Sequence, residues 1–509
     1  MSNAVLHVTV AGDTLVIKNV DADGLRENIR AFFTENPLRL AGISNMSFIP
    51  TPEATKWSGL ENFQKEFLEI FNQCIENILK RITPNEEDAF WGLLNVTDNM
   101  PDYLNWPDIL SLKNIYRGMT GVVISTGPSL KLILPELKKH QESVIIFACD
   151  SAVRVLLEEN ITPDFVSTME RIGDCYHLFK DLPKMPATPL VGPSVIPQQG
   201  FNAWPGPKLR IAWEFGFEDW FSDVDLNVHL GASPSVSHLS YLGLRILGCE
   251  KIILAGQDLA FDPSSGKSHT DNVDTFLLQV GDDLQEINGK KTPVYDVTGY
   301  DGKPRRTTAT WHHFATSFNQ LIARYGGQVF HAIPENRGIP ITHTTRIDPW
   351  GCLEKFNPIK SDKTLVMTRL NSLKPQSLFS PNITRCTQAA LEDFRATALA
   401  AMREISAAWR DHDVRVADRD HKTYYENFFN GLESRLNNLK NSHDHFFEKK
   451  FLKLIMNSYL GRLIEKNQEL HQNPDFISRT LNLIQNYFQT FNLIHLWASR
   501  ALETIATRN

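Results

Sequence analysis

The apolar and polar positions of this chain change period repeatedly along its length. Residues 5–19, VLHVTVAGDTLVIKN, alternate around Ala11-Gly12-Asp13 and predict a β-hairpin. From Asp23 to about Arg81 the spacing turns helical, with Phe63, Phe67, Ile70, Phe71 and Cys74 on one face of one helix. An aromatic-rich stretch from Phe90 to Tyr116 leads to Gly121, after which short β-branched runs alternate with helical ones. Strands are expected at Val122 to Ser125, Val144 to Ala148, Phe165 to Thr168, Pro189 to Val191, Leu209 to Trp213, Lys251 to Ala255 and Gln328 to His331. Helices are expected between them at Leu130 to Lys139, Ser151 to Glu159, Ser237 to Leu247 and Trp311 to Tyr325. Strand followed by helix, repeated, implies a mostly parallel sheet covered on both faces.

After about Thr364 the strands stop. Only Gly431, Gly461 and Pro474 interrupt helix beyond Cys386, and apolar residues recur three and four apart, as in Phe451, Leu454, Ile455, Tyr459 and Leu463. The pairs Phe428-Phe429 and Phe446-Phe447 are expected to serve packing. The fold class is therefore α/β: a central Rossmann-like, mostly parallel sheet domain over 115–350, a mixed α/β N-terminal domain over 1–114, and an all-helical C-terminal domain over 365–509.

Composition narrows the function classes. A chain of 509 residues holds several units with their own cores. Its net charge of -7, with no basic block, argues against a nucleic-acid partner. The six cysteines lack CxxC or metal-like spacing, which reads as buried thiols in a reducing compartment without structural zinc. No secretion signal and no apolar run of bilayer length is visible, so no transmembrane segment and a cytoplasmic location are expected.

In open α/β sheets ligands bind beyond the carboxyl ends of the strands. Each expected strand ends there in small, polar or acidic residues. The first, GVVISTGPSL, breaks at Gly127-Pro128-Ser129, a turn whose N–H groups and following helix suit an anion. Later strands end in Asp150-Ser151, Glu170-Arg171, Gly192-Pro193-Ser194 and Gly256-Gln257-Asp258, and GASPSVS, with Ser233 and Ser235, opens a helix. Singly, each is a turn or a helix cap. Together they outline one polar crevice.

The segments STGPSL, FACDSAVRVLLEENITPDFVSTMERI, SVSHLSYLGLRILGCEKIILAGQDLAF, GKSHT and HAIPENRGIPI resemble the motility-associated factor family of flagellin glycosyltransferases. The likeness covers about residues 115–345. The central domain is also similar to the hydroxymethylpterin diphosphokinases and to bacterial sialyltransferases that use CMP-sugars. The resemblance implies transfer of a nonulosonic acid, of the pseudaminic or legionaminic kind, from CMP to Ser/Thr hydroxyls of flagellin. It sets Gly127 and Ser129 against phosphate or ribose, with Asp150, Ser151 and Gly192 framing ribose and base. Ser233 and Ser235 would meet cytosine or the sugar carboxylate, and Glu170, Ser194 and Gln257 complete the nucleotide-sugar site. His269 and Asp258 are the candidate catalytic residues. A histidine at that place is suited either to take the acceptor proton or to donate to phosphate, and Asp258 either to anchor the acceptor, bind a metal or hold its loop.

One departure stands out. The sialyltransferase base is a histidine just before a long helix, and Gly302-Lys303-Pro304-Arg305-Arg306-Thr307 supplies none there. Lys303, Arg305 and Arg306 offer positive charge instead. No resident cofactor is implied, since the CMP-sugar is a substrate; a divalent metal stays open. Two other readings remain: pyrophosphoryl transfer to a pterin with metal held by Asp150, Glu170 and Asp258, and a non-catalytic flagellin scaffold.

Overall fold

The computed structural model of the chain describes residues 5–10, 13–18, 25, 26, 28, 29, 32, 47–50, 65, 67, 68, 70, 71, 74, 86–171, 174–211, 235–271, 284–287, 290–356, 360–373, 381–410, 421–442 and 476–506. It divides into two compact units, one of Leu94–Ile383 and one of Met1–Leu93 with Thr384–Asn509.

In the unit that joins both ends of the chain, the expected hairpin is present: β1 (Val5–Val10) pairs antiparallel with β2 (Asp13–Lys18). A further strand, β3 (Ser47–Pro50), pairs with the other edge of β1; four residues ending in proline carry too little alternation to be read from sequence. Phe67, Ile70, Phe71 and Cys74 are helical and buried, as their spacing predicts, while Phe63 lies outside the described residues. The C-terminal part is helical at Pro381–Arg410, His421–Ser442 and Phe476–Ala506. Leu391, Phe394, Ala398, Ala401, Ile405 and Ala408 form a buried stripe three and four residues apart on the first helix, and Tyr487, Phe491, Ile494, Ala498, Ala501 and Ile505 form one on the last. These stripes hold the helices together by apolar burial, with the Phe394 and Trp497 rings 6.4 Å apart and the Phe429 and Tyr487 rings 5.5 Å apart. Phe428 and Phe429 thus pack as expected; Phe446-Phe447 and the run from Phe451 to Leu463 lie outside the described residues.

The other unit is the α/β core. Its strands are β4 (Thr120–Ile124), β5 (Ile145–Cys149), β6 (Phe165–Ser167), β7 (Leu190–Gly192), β8 (Lys208–Arg210), β9 (Lys251–Ala255), a hairpin-forming set β10 (Leu284–Ile287), β11 (Lys290–Thr298) and β12 (Pro304–Thr308), then β13 (Gln328–Ala332) and β14 (Thr345–Ile347). The eight-stranded sheet runs β14-β13-β9-β4-β5-β6-β7-β8, and every pair in it is parallel. Helices are α1 (Glu86–Tyr103, of which the part from Leu94 belongs to this unit), α2 (Leu130–His140), α3 (Val153–Glu158), α4 (Asp174–Phe179), α5 (Gln198–Ala203), α6 (Val236–Leu247), α7 (Ala309–Tyr325) and α8 (Leu365–Ser372). β4 and β5 are buried along their whole length, which is why they read as unbroken apolar runs. Val123, Phe147, Phe165, Ile252 and Leu254 of the sheet form one core with Tyr241 and Leu244 of α6 and Phe318 of α7.

Each of the expected central strands is present, Lys251–Ala255 as expected and the others with an end moved by up to three residues; Trp213, expected at a strand end, lies outside the described residues. The antiparallel sheet β10-β11-β12 and the edge strand β14 were not expected. β11 and β12 read KKTPVYDVT and PRRTT, whose lysines, arginines and prolines hide the strand period, and β14 has three residues. No described helix is long and apolar enough to cross a membrane.

Candidate functional site

β4 lies in the interior of the sheet, and the chain leaves it in two directions. It winds through β5, β6, β7 and β8 on one side, then returns as β9 on the other and continues to β13 and β14. The loops after β4 and β9 therefore diverge, and a doubly wound sheet opens its ligand crevice at such a switch point.

These two loops also interlock. Gly127 N–H donates to the Gly256 carbonyl at 2.7 Å. Ser129 donates twice to the Asp258 carboxylate: its N–H lies 3.1 and 3.2 Å from the two oxygens, and its hydroxyl 2.6 Å from Oδ2. Asp258 thus spends both oxygens holding the Gly127-Pro128-Ser129 turn, and Ser129 turns its side chain toward Asp258. Burial pushes the Asp258 carboxyl up to about 6, against the pull of the Ser129 bonds and of Arg337. A folded value above the ordinary 3.8 means that its contribution to stability is fully present below about pH 4 and is lost as pH rises through about 6. Asp258→Asn should remove that dependence. The stability difference between wild type and variant, followed by denaturant titration, should move against the wild type by roughly 3 kcal/mol across this window; a difference independent of pH would contradict the assignment.

Gln257, between Gly256 and Asp258, is fixed from both sides. Its Oε1 accepts the Ser125 hydroxyl at 2.6 Å, and its carbonyl accepts His331 Nε2–H at 3.0 Å. Tyr300 OH accepts the Ile341 N–H and donates to His331 Nδ1 at 2.7 Å, which sets the tautomer. Burial lowers the His331 pKa to about 4, so the ring is neutral and purely positioning. The Gln257 amide nitrogen has no hydrogen bond among the described residues.

On the other side of β4, Asp150 is buried at the end of β5 and accepts Thr168 Oγ1 at 2.7 Å and Ser151 N–H at 2.7 Å; burial raises its pKa. Ser151 is half-buried and Glu170 is exposed after β6. Gly192 and Ser194 are sealed by packing: a Cβ on Gly192 would lie 2.2 Å from Ile196 Cδ1, and Ser194 is buried. Helix α1 grips this stretch. Asn99 Nδ2 donates to the carbonyls of Ser194 at 2.9 Å and Ile196 at 2.5 Å, Asn95 Nδ2 to those of Arg171 and Val195 at 2.8 Å, and Tyr103 OH lies 3.1 Å from the Gly192 carbonyl. Asn99→Ala leaves two buried carbonyls without these donors. It should cost about 2 kcal/mol in equilibrium unfolding, whereas a change below about 0.5 kcal/mol would mean that α1 does not brace the loops.

Ser235 starts α6 without capping it through its side chain; its hydroxyl lies 3.1 Å from that of Ser237. The helix start is set on β6 by the Ser167 and Ser240 hydroxyls, 2.6 Å apart. Ser233 lies outside the described residues. His269 reaches the turn through its neighbour, since Thr270 N–H donates to the Thr126 carbonyl at 2.8 Å. Its Nδ1 lies 2.9 Å from the Ser268 hydroxyl, its ring faces Trp311 edge-on at 6.5 Å, and burial lowers its pKa, which leaves it neutral at pH 7. The structure thus gathers Gly127, Ser129, Gln257, Asp258 and His269 about one pair of loops. Arg305 is committed to Asp301 at 2.6 Å and Arg306 lies 3.7 Å from Asp296, within the β11–β12 hairpin, while Lys303 is exposed.

Residues 94–264 match the family model described as 6-hydroxymethylpterin diphosphokinase MptE-like. The MAf glycosyltransferase from Magnetospirillum magneticum AMB-1 superposes with a TM-score of 0.51 at 15% identity, over 88% of this chain and 65% of that one. The fold is that of a Maf glycosyltransferase. This chain spans less than two thirds of that relative's length, and no curated protein matches it. The MptE-like segment runs from Leu94 in α1 past Asp258, so it contains the interlocked loops and the bracing asparagines. His269, Tyr300 and His331 lie beyond it.

Sequence reading missed Ser125, Thr168, Asn95, Asn99, Tyr103 and Tyr300. A lone asparagine on a helix gives no signal of which carbonyl it will meet. His331 and Arg337, by contrast, fall in HAIPENRGIPI. Arg337 pairs with Asp262 at 2.6 Å, and Ile339 N–H donates to the Asp258 carbonyl at 3.0 Å, so that motif buttresses the Asp258 loop.

Proposed function

We propose that this chain is a cytoplasmic glycosyltransferase that moves a nonulosonic acid, of the pseudaminic or legionaminic kind, from CMP to Ser/Thr hydroxyls of flagellin, in support of flagellum assembly and motility. The observation that carries the reading is the Maf glycosyltransferase fold over 88% of the chain, with polar strand ends brought together at its switch point. In this reading residues 115–350 bind the donor and residues 365–509 engage the acceptor.

The donor phosphate lies against the turn from Gly127 to Ser129 at the start of α2, whose positive end favours an anion; the Gly127 and Ser129 N–H groups shape that turn by holding the Gly256 carbonyl and Asp258. Ser151, with Asp150 behind it, frames ribose and base; Glu170 and the Gly192–Ser194 stretch bound that end, and Ser233 and Ser235 meet the cytosine or the sugar carboxylate. The Gln257 amide nitrogen donates to phosphate or sugar. Asp258 is a positioning residue that acts through Ser129. His269 is the catalytic base: with Nδ1–H donated to Ser268, Nε2 takes the proton of the acceptor hydroxyl as its oxygen bonds the anomeric carbon and the bond to CMP breaks. The charge developing on the sugar resembles that of glycoside hydrolysis.

The family description of residues 94–264 favours a second reading, pyrophosphoryl transfer to a pterin. That reaction uses a metal-bound triphosphate, whereas Asp150 and Asp258 are each committed to a different neighbouring loop, Asp150 to Thr168 and Asp258 to Ser129. Thermal shift separates the readings. CMP should stabilise the full chain and ATP with Mg2+ should not; the reverse would overturn the transferase reading.

A further inference from the structure

Away from the crevice, α2 ends close to the start of β5, at the amino-terminal edge of the sheet. Glu136 and His140 lie one turn apart on it, and the short turn Glu354–Phe356 after β14 brings Glu354 to the same point. Among the described residues these three form a group whose ligand atoms all fall within 4.8 Å of one another. His140 Nε2 is 4.0 Å from Glu136 Oε2 and 4.0 Å from Glu354 Oε1.

Such distances are too long for hydrogen bonds. They suit three donors that share a central atom. The atoms themselves make the stronger point: Glu136 Oε2 and His140 Nε2 are both buried, and neither has a hydrogen-bond partner. Two orphaned ligand atoms facing each other are costly unless something lies between them. The Glu354 turn is also held in place, because Cys352 and Leu353 beside it are fully buried and Phe356 packs 4.7 Å from Phe330 of β13.

We propose that Glu136, His140 and Glu354 bind one first-row divalent cation of the Zn2+ class, which clips the end of α2 to the segment after β14. Imidazole nitrogen with two carboxylate oxygens is a donor set that such ions accept, with water in the remaining position. Tetrahedral bonds of about 2.0–2.2 Å set ligand atoms roughly 3.4 Å apart, so the two pairs with His140 must close by about 0.6 Å and the Glu136–Glu354 pair by at most about 1.4 Å. Lys139, which pairs with Glu354 Oε1, lies on the exposed side and yields that oxygen when the ion binds. The inference is independent of the transferase reading, because these residues lie at the opposite edge of the sheet from the crevice.

The test uses the full chain dialysed against EDTA, then titrated with ZnCl2, with bound metal and melting temperature as readouts. One equivalent should bind and raise the melting temperature. His140→Ala and Glu354→Gln should each weaken binding at least about tenfold and abolish the rise. Glu354 is largely exposed, so its variant reports on metal binding even if the His140 change disturbs folding. No stoichiometric binding by wild type, or equal affinity in wild type and Glu354→Gln, would overturn the proposal.

Discussion

Gly127→Ala should abolish donor binding and destabilise the sheet unit by about 3 kcal/mol or more, a cost at the upper end of overpacking. The added Cβ would lie 2.2 Å from Asp258 Oδ2 and 2.5 Å from the Gly256 carbonyl. Neither neighbour can give way. Asp258 is held by Ser129, and Gly256 sits at φ +66 with its own Cα hydrogens against the Ser125 carbonyl, where a Cβ would come to 2.2 Å. Relief of the clash must therefore part the two loops, open the Gly127–Gly256 and Asp258–Ser129 bonds and displace the start of α2 against which the donor lies. Gly302→Ala is the control: φ is +76 but open space surrounds it, so only the backbone cost of about 1 kcal/mol should appear and CMP should still bind. Denaturant unfolding and CMP-induced thermal shift measure both variants; equal effects at the two positions would remove the special role of the turn.

His269→Ala should lower transfer about 10²–10⁴-fold, the usual contribution of a positioned base, while the CMP-induced shift is retained. Burial lowers the pKa of this ring, so the wild-type rate should fall on the acid side below the ordinary histidine value of 6.5 and stay level above it. The variant should lose that limb. A merely structural histidine would change stability without changing the shape of the pH profile. Undiminished transfer by His269→Ala would remove it as the base.

The parallel core was legible because β4, β5 and β9 are short apolar runs closed by turn residues, and because a strand buried on both faces leaves no other pattern. The crevice was legible for a related reason: each strand had to end in something polar, and the switch-point rule says where those ends meet. What the sequence could not convey is direction. Ser129 and Asp258 were both identified as site residues, yet the structure turns them toward each other, 129 positions apart in the chain. Gly192 and Ser194 end a strand like the others but are closed over by Ile196 and by Asn99 from α1. Long-range side-chain to backbone bonds of this kind leave no periodicity. The hairpin of β11 and β12 was hidden by its charges, for Arg305 is buried in the structure, with Asp301 neutralising it across the turn.

The central claim is that this chain transfers a CMP-activated nonulosonic acid to flagellin. Its most direct test is the intact mass of purified flagellin incubated with the full chain and a CMP-nonulosonate. Increments of one or more nonulosonate residues, absent without enzyme and strongly reduced with His269→Ala, are the result expected. Flagellin of unchanged mass, in the presence of a donor that the protein demonstrably binds, would contradict it.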